Sequence, residues 1–282
     1  MRIDDLDTPR NQPGSLASII EDLHWLGIDW DEGPEKPGPH APYYQSKRLE
    51  HYRDWFSGIG NLGLVYRCFC SRKDIATAMS APHASDSTTV YPGTCGPGNA
   101  KTTLRPETDE HAWRFLVGDT STRFDDEVLG PRFLRLDTAV GDFVLLRRDG
   151  LFAYQLACAA DDHLMEITDV VRGADLVDST HRQIAIMDAL GLQPPRYCHI
   201  PLLEDSPGKR MSKRDGSNSL EQWREENGSA ADLAGWFASS LGFIDQSRPI
   251  SSRELLQQLD PQTFRYCLRK ASADTRGTPS VP

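Results

Sequence analysis

The stretch "ITDVVRGADLVDSTHRQIAIMDAL", Ile167 to Leu190, decides how the chain folds. Ile167 to Val171 is a short apolar run rich in β-branched residues, and "RGAD" ends it. A helical pattern from about His181 to Leu190 follows, and "HIPLL" at His199–Leu203 reads as the next strand. Apolar strands alternating with helices predict a mostly parallel α/β sheet. Arg172 then falls at the carboxyl end of a parallel strand, where sheets of this kind bind ligands. A guanidinium there suits a small carboxylate, and a buried ion pair accounts for it equally well.

On the N-terminal side, Leu16, Ile19, Ile20, Leu23 and Leu26 repeat at helical spacing before the stop at Gly27. A Pro- and Gly-rich loop over 33–42 precedes a second helix after Ser46, with Leu49, Tyr52, Phe56 and Ile59 on one face. Short β-prone runs lie at Leu64–Phe69, Trp113–Val117, Phe143–Leu146 and Leu151–Leu156. The last two flank "RRDG", a hairpin signal that puts Tyr154 on a strand. Residues 80–103 are rich in Ser, Thr, Pro and Gly and need something other than a core to hold them. After Gly216 the pattern is helical to about Lys270, and the tail 273–282 reads as disordered.

The 282 residues carry a formal net charge of −10, with 38% hydrophobic and 26% charged residues, as in a globular protein of one or two domains. No apolar run approaches a membrane span, and charged residues follow Met1 where a leader would have its apolar core, so no membrane contact is expected. Six cysteines are few for a disulfide framework, which predicts a cytoplasmic protein. The acidic balance argues against broad nonspecific nucleic-acid binding and leaves room for a local basic site.

Such a site is "GKRMSKRDG" at 208–216, where Lys209, Arg210, Lys213 and Arg214 surround Met211 and Ser212 between two glycines. A solvated basic turn is the bland explanation. Two lysines and two arginines on a mobile loop can also neutralise a polyphosphate. "CFC" (68–70) and "YPGTC" (91–95) offer Cys68, Cys70 and Cys95, three soft ligands that favour tetrahedral zinc. The fourth ligand is His83 or Tyr91. Chemistry alone favours His83, since a phenol must first lose a proton with a pKa of about 10. Zinc here is structural, because nothing nearby supplies a general base. In "RIDDLDTPR" (2–10), Asp4, Asp5 and Asp7 can form a metal site, bind an amine or a ribose, or cap and salt-bridge the following helix.

Taken in order, "RIDDLDTPR", "QSKRLEHY", "YRCFCSR", "RRDGLFAYQLACAADDH", "ITDVVRGADLVDSTHRQ" and "KRMSKRDG" resemble the catalytic body of class I aminoacyl-tRNA synthetases of the glutamyl type, from Arg2 to about Gly216. The last motif is that family's KMSKS-type loop. The resemblance implies a Rossmann-like catalytic domain over 1–65 and 149–205, with a zinc-binding, acceptor-type domain inserted at 66–148. A small helical C-terminal part with the KMSKS-type loop covers 206–272. The chain has no room for the family's anticodon-binding domain. It therefore resembles the short branch that attaches glutamate to queuosine in the anticodon stem-loop of tRNA(Asp), acting as a monomer. A fragment of an enzyme that charges tRNA(Glu), or a non-catalytic tRNA- or zinc-binding relative, are the alternatives.

The resemblance further implies ATP with magnesium, held by Lys209, Arg210, Met211, Ser212, Lys213 and Arg214, with Lys213 countering charge that develops toward pyrophosphate. It assigns Asp4 to the ammonium of glutamate, Tyr154 and Arg172 to the rest of the amino acid, and Tyr91 rather than His83 to the metal. Two departures stand out. The family's HIGH motif does not occur in the sequence, so the first βα unit is expected to be missing, and Asp4 stands where the family has Glu.

Overall fold

The computed structural model describes residues 1–8, 11–71, 73–75, 90–99, 105–106, 108–202, 204–206, 209–210, 220, 223–224 and 229–273. Helix α1 (Ser15–Trp25) and helix α2 (Leu49–Asn61) form where the apolar spacing predicts them. In α2 the buried residues are Tyr52, Trp55 and Ile59, one stripe turned to the core. Strands β1 (Val65–Cys68) and β2 (Ala112–Phe115) follow, then β3 (Ser121–Asp126), β4 (Gly130–Arg135), the short helix α3 (Leu136–Ala139) and β5 (Phe143–Leu146). Helix α4 (Tyr154–Leu164), strand β6 (Asp169–Gly173), helix α5 (Val177–Ala189) and strand β7 (Arg196–Ile200) make the alternating part. Beyond it lie a small ribbon, β8 (Glu204–Ser206) with β9 (Lys209–Arg210), and three helices, α6 (Ala230–Ser240), α7 (Ser252–Gln258) and α8 (Pro261–Ala273).

The expectation of a mostly parallel sheet needs correction, because the fold is α/β with mixed sheets. One sheet is antiparallel, in the order β1-β2-β5. The other runs β4-β3-β7-β6, parallel at β3–β7 and β7–β6 and antiparallel at β3–β4. The β3–β4 hairpin escapes a search for apolar runs because its burial alternates strictly along "STRFDD". It lies within the stretch 66–148 that the family resemblance assigns to an insertion, and it shares a sheet with β6 and β7.

A second correction concerns Leu151–Leu156. Only Phe152 bridges back, to Leu146, and Tyr154 opens helix α4 instead of lying on a strand. The segment "YQLACAADDHL" is rich in strong helix formers, and Leu156 through Asp162 are all buried, so the packing selects a helix. α4 lies against α2 and α5 at the centre of the main core. Tyr52, Ile59, Leu136, Leu145, Leu156, Ile186 and Met187 are fully buried there, each aliphatic side chain worth roughly 1.5–3 kcal/mol. No described helix is long and apolar enough to cross a membrane. Of the tail 273–282, Ala273 closes α8 and residues 274–282 lie outside the described residues.

Candidate functional site

Ile3 pairs with Tyr44 in a parallel bridge, and Arg2 and Asp4 on either side of it contact Asp162 and Cys158 of α4. The three aspartates of this N-terminal run do different work. Asp5 accepts hydrogen bonds from the Ser46 backbone N–H (2.9 Å) and hydroxyl (2.6 Å), and Asp7 pairs with Arg147 at 3.1 Å. Asp4 is left facing a cleft of about 610 Å³, lined also by Gln45, Arg147, Arg148 and Tyr154. These aspartates do not gather into a metal site; among the described residues the cysteine cluster is the one group of that kind.

Arg2 sits beneath Asp4. Its Nε donates to Asp4 at 2.8 Å and its Nη1 to Asp162 at 2.6 Å. Burial opposes charge on this guanidinium, but Asp4, Cys158 and Asp162 around it outweigh burial and keep it protonated. The neighbouring Asp161 is fully buried and accepts from Arg48 Nε (2.7 Å), the Tyr52 hydroxyl (2.8 Å) and Gln45 Nε2 (3.1 Å). Arg48 also donates to the carbonyls of His40 and Pro42. Asp161, Asp162 and Arg48 are not among the residues singled out from the sequence. The signal was present, since two carboxylates inside an alanine-rich buried helix require cationic partners.

Arg172 is the penultimate residue of β6, paired in register with His199 of β7. Its Nη2 donates to Thr180 Oγ1 (2.6 Å) and Gln183 Oε1 (2.8 Å), and its Nε to His199 Nε2 (3.2 Å). Tyr154 lines the same cleft as Asp4. Burial pushes the phenol up and Cys158 adds to that, while Arg172 opposes the rise and Asp4 reinforces it. A guanidinium and a carboxylate that both act on one phenol suit an amino acid, which carries the complementary charges.

Of the basic loop, Lys209 and Arg210 form the short strand β9, antiparallel to β8. Met211, Ser212, Lys213 and Arg214 lie outside the described residues, as does His83.

Cys68, Cys70 and Cys95 place their sulfurs within 4.8 Å of one another, with Cys70 and Cys95 at 3.5 Å. The Tyr91 hydroxyl is 3.4 Å from Cys68 Sγ and 3.6 Å from Cys70 Sγ, and accepts the Cys95 backbone N–H at 2.8 Å. A tetrahedral zinc with bonds of about 2.3 Å holds its sulfurs about 3.8 Å apart, so this donor set fits the ion. Burial pushes the Cys70 thiol up to about 11, while hydrogen bonds from the Phe69 backbone, Tyr91 and the other thiols overcome burial and bring Cys95 below its ordinary value. The Arg114 guanidinium lies 3.7 Å over the Tyr91 ring. Gly141, at φ +66°, lets the next turn press against Tyr91, whose carbonyl would stand 2.7 Å from any added Cβ.

The sequence model of the family described as "tRNA synthetases class I (E and Q), catalytic domain" matches residues 1–257. A glutamyl-Q tRNA(Asp) synthetase of Nitratidesulfovibrio vulgaris is 40% identical over 266 residues, covering 94% of this chain and 82% of the relative. A glutamate–tRNA ligase of Myxococcus xanthus is 35% identical over 255 residues, 90% of this chain and 53% of that protein. Among solved structures, a glutamate-tRNA synthetase from Elizabethkingia anophelis superposes with a TM-score of 0.75 at 26% identity, over 92% of this chain and 58% of the other.

Proposed function

The chain belongs to the class I tRNA synthetases of the glutamate and glutamine type, an aminoacyl-tRNA ligase family, and on that premise we propose that it activates glutamate with ATP and transfers it to queuosine in the anticodon of tRNA(Asp). The observation that carries the amino-acid half is that Asp4 and Tyr154 line one cleft while Arg172, near the end of β6, acts electrostatically on the same Tyr154 phenol. Asp4 takes the ammonium group, and Arg172 and Tyr154 hold the rest of the amino acid, Arg172 through a carboxylate. A carboxylate oxygen of glutamate attacks the α-phosphorus of ATP and pyrophosphate departs, leaving a glutamyl adenylate. A hydroxyl of the acceptor then attacks the acyl carbon and AMP leaves. The protein's part is positioning and charge stabilisation. Lys209, Arg210, Met211, Ser212, Lys213 and Arg214 carry the ATP role, with the charge of Lys213 countering that of the departing pyrophosphate and magnesium accompanying the nucleotide.

Cys68, Cys70, Cys95 and Tyr91 are the residues that would hold a structural zinc, whose chemistry is to cross-link a polar segment that lacks apolar residues to pack. The queuosine half of the proposal is supported by the name and the extent of similarity of the relatives that this chain nearly spans. The similarity to glutamate–tRNA ligases favours a second reading, in which tRNA(Glu) is the acceptor. Labelled glutamate, ATP and three acceptors separate the readings: tRNA(Asp) with queuosine, tRNA(Asp) without it, and tRNA(Glu). Label on the first alone supports the proposal, and label on the last supports the second reading. Binding of glutamate without transfer to any of them identifies a non-catalytic relative.

A further inference from the structure

We propose that Asp126, acting through His199, is a positioning residue for Arg172, fixing the guanidinium in the orientation that receives the carboxylate of the amino acid. This rests on the assignment of Arg172 to that carboxylate. Asp126 ends β3 and His199 lies in β7, and both side chains are fully buried. Asp126 Oδ2 is 2.6 Å from His199 Nδ1, and the His199 backbone N–H also donates to this carboxylate, at 3.1 Å to Oδ2. Asp126 Oδ1 takes the backbone N–H groups of Val128 (3.0 Å) and Leu129 (2.8 Å). On the other side of the ring, Arg172 Nε donates to His199 Nε2 at 3.2 Å, and Thr180 Oγ1 stands 3.0 Å from the same nitrogen.

Arginine nitrogens only donate, so His199 Nε2 must present its lone pair and the ring proton must sit on Nδ1. The carboxylate of Asp126 imposes that tautomer, because Oδ2 can only accept. Phe124 and Tyr197 pack against the imidazole and leave it fully buried, so no solvent competes for either nitrogen. The Tyr197 ring also lies under the Arg172 guanidinium at 5.4 Å. Arg172 is therefore held on one edge by His199 and on its Nη2 by Thr180 and Gln183. Asp126 sets the first of these holds without touching the cleft.

Asp126→Asn keeps an oxygen for Val128 and Leu129 but turns an amide N–H toward His199 Nδ1. The ring proton must then move to Nε2, where it confronts the Arg172 N–H. L-glutamate and ATP are titrated calorimetrically into wild type, Asp126→Asn, Arg172→Ala and the double variant. Asp126→Asn should weaken glutamate about tenfold, the order expected for one charge-assisted hydrogen bond, and leave ATP within about twofold. In the Arg172→Ala background it should cost nothing further. An equal loss in both backgrounds, or no loss in the first, overturns the proposal. Glutamate affinity insensitive to Arg172→Ala defeats the site assignment instead, and nitrogen-15 spectra then judge the inference alone. They should show a neutral His199 protonated at Nδ1 in wild type, and a ring protonated at Nε2 or at both nitrogens refutes it. Should Asp126→Asn unfold, His199→Gln and His199→Asn replace it. The Gln amide oxygen reaches the Nε2 position and the Asn oxygen does not, so Gln should retain glutamate affinity and Asn lose it; equal affinities refute the proposal.

Discussion

Asp161→Asn tests how the floor of the site is built. The carboxylate is fully buried and receives three donors, of which Arg48 is the charged one, with a side chain only 3% exposed. Asn removes the counter-charge and turns an N–H toward one of those donors, leaving a buried guanidinium without its ion. Breaking a buried pair in this way costs about 3–5 kcal/mol. At about 2–4 °C per kcal/mol for a domain of this size, the thermal midpoint should fall by roughly 6–20 °C. Urea and thermal unfolding of wild type, Asp161→Asn and the pair Arg48→Met with Asp161→Leu provide the assay. The double variant removes both desolvated charges and should recover most of the loss. A cost below about 1 kcal/mol for Asp161→Asn, or a double variant less stable than the single, would refute the reasoning.

Replacing Cys95 by Ser should lower bound zinc from one equivalent to a small fraction, and a strong chelator should reduce the thermal midpoint of wild type; metal content near zero in wild type, unchanged by the substitution, contradicts the site. Burial lowers the pKa of His181, which sits 2.7 Å from the Thr122 hydroxyl, so the unfolded chain takes up a proton at its ordinary value while the folded one does not. Stability is therefore full above about pH 6.5 and lost as pH falls from there through the lower folded value. His181→Gln should flatten that slope between about pH 7 and pH 5, and an unchanged slope assigns it to other groups.

How much of this was legible in the sequence differs by element. Helices with a single apolar stripe, such as α1 and α2, were readable because helical spacing is a local signal. The segment from Leu151 was not, since short apolar runs fit helix and strand alike, and the packing of "YQLACAADDHL" on all sides decided for helix. The β3–β4 hairpin hid behind its polar outward residues, and with it the mixed character of the sheet. Within the site, Cys68, Cys70 and Cys95 could be grouped by residue type, and the structure brings them together with Tyr91. Asp4 and Arg172 could be singled out as charges in suggestive places. Their supports could not, because Arg2–Asp162 and Asp126–His199 join residues far apart in sequence, and only the folded sheet reveals such pairs.

A crystal structure with L-glutamate bound is the measurement that bears most directly on the central claim. The account predicts the ammonium group at Asp4 and a carboxylate against Arg172, with the Tyr154 hydroxyl within hydrogen-bond reach of the ligand. Glutamate held elsewhere, with Asp4 and Arg172 untouched, would contradict it.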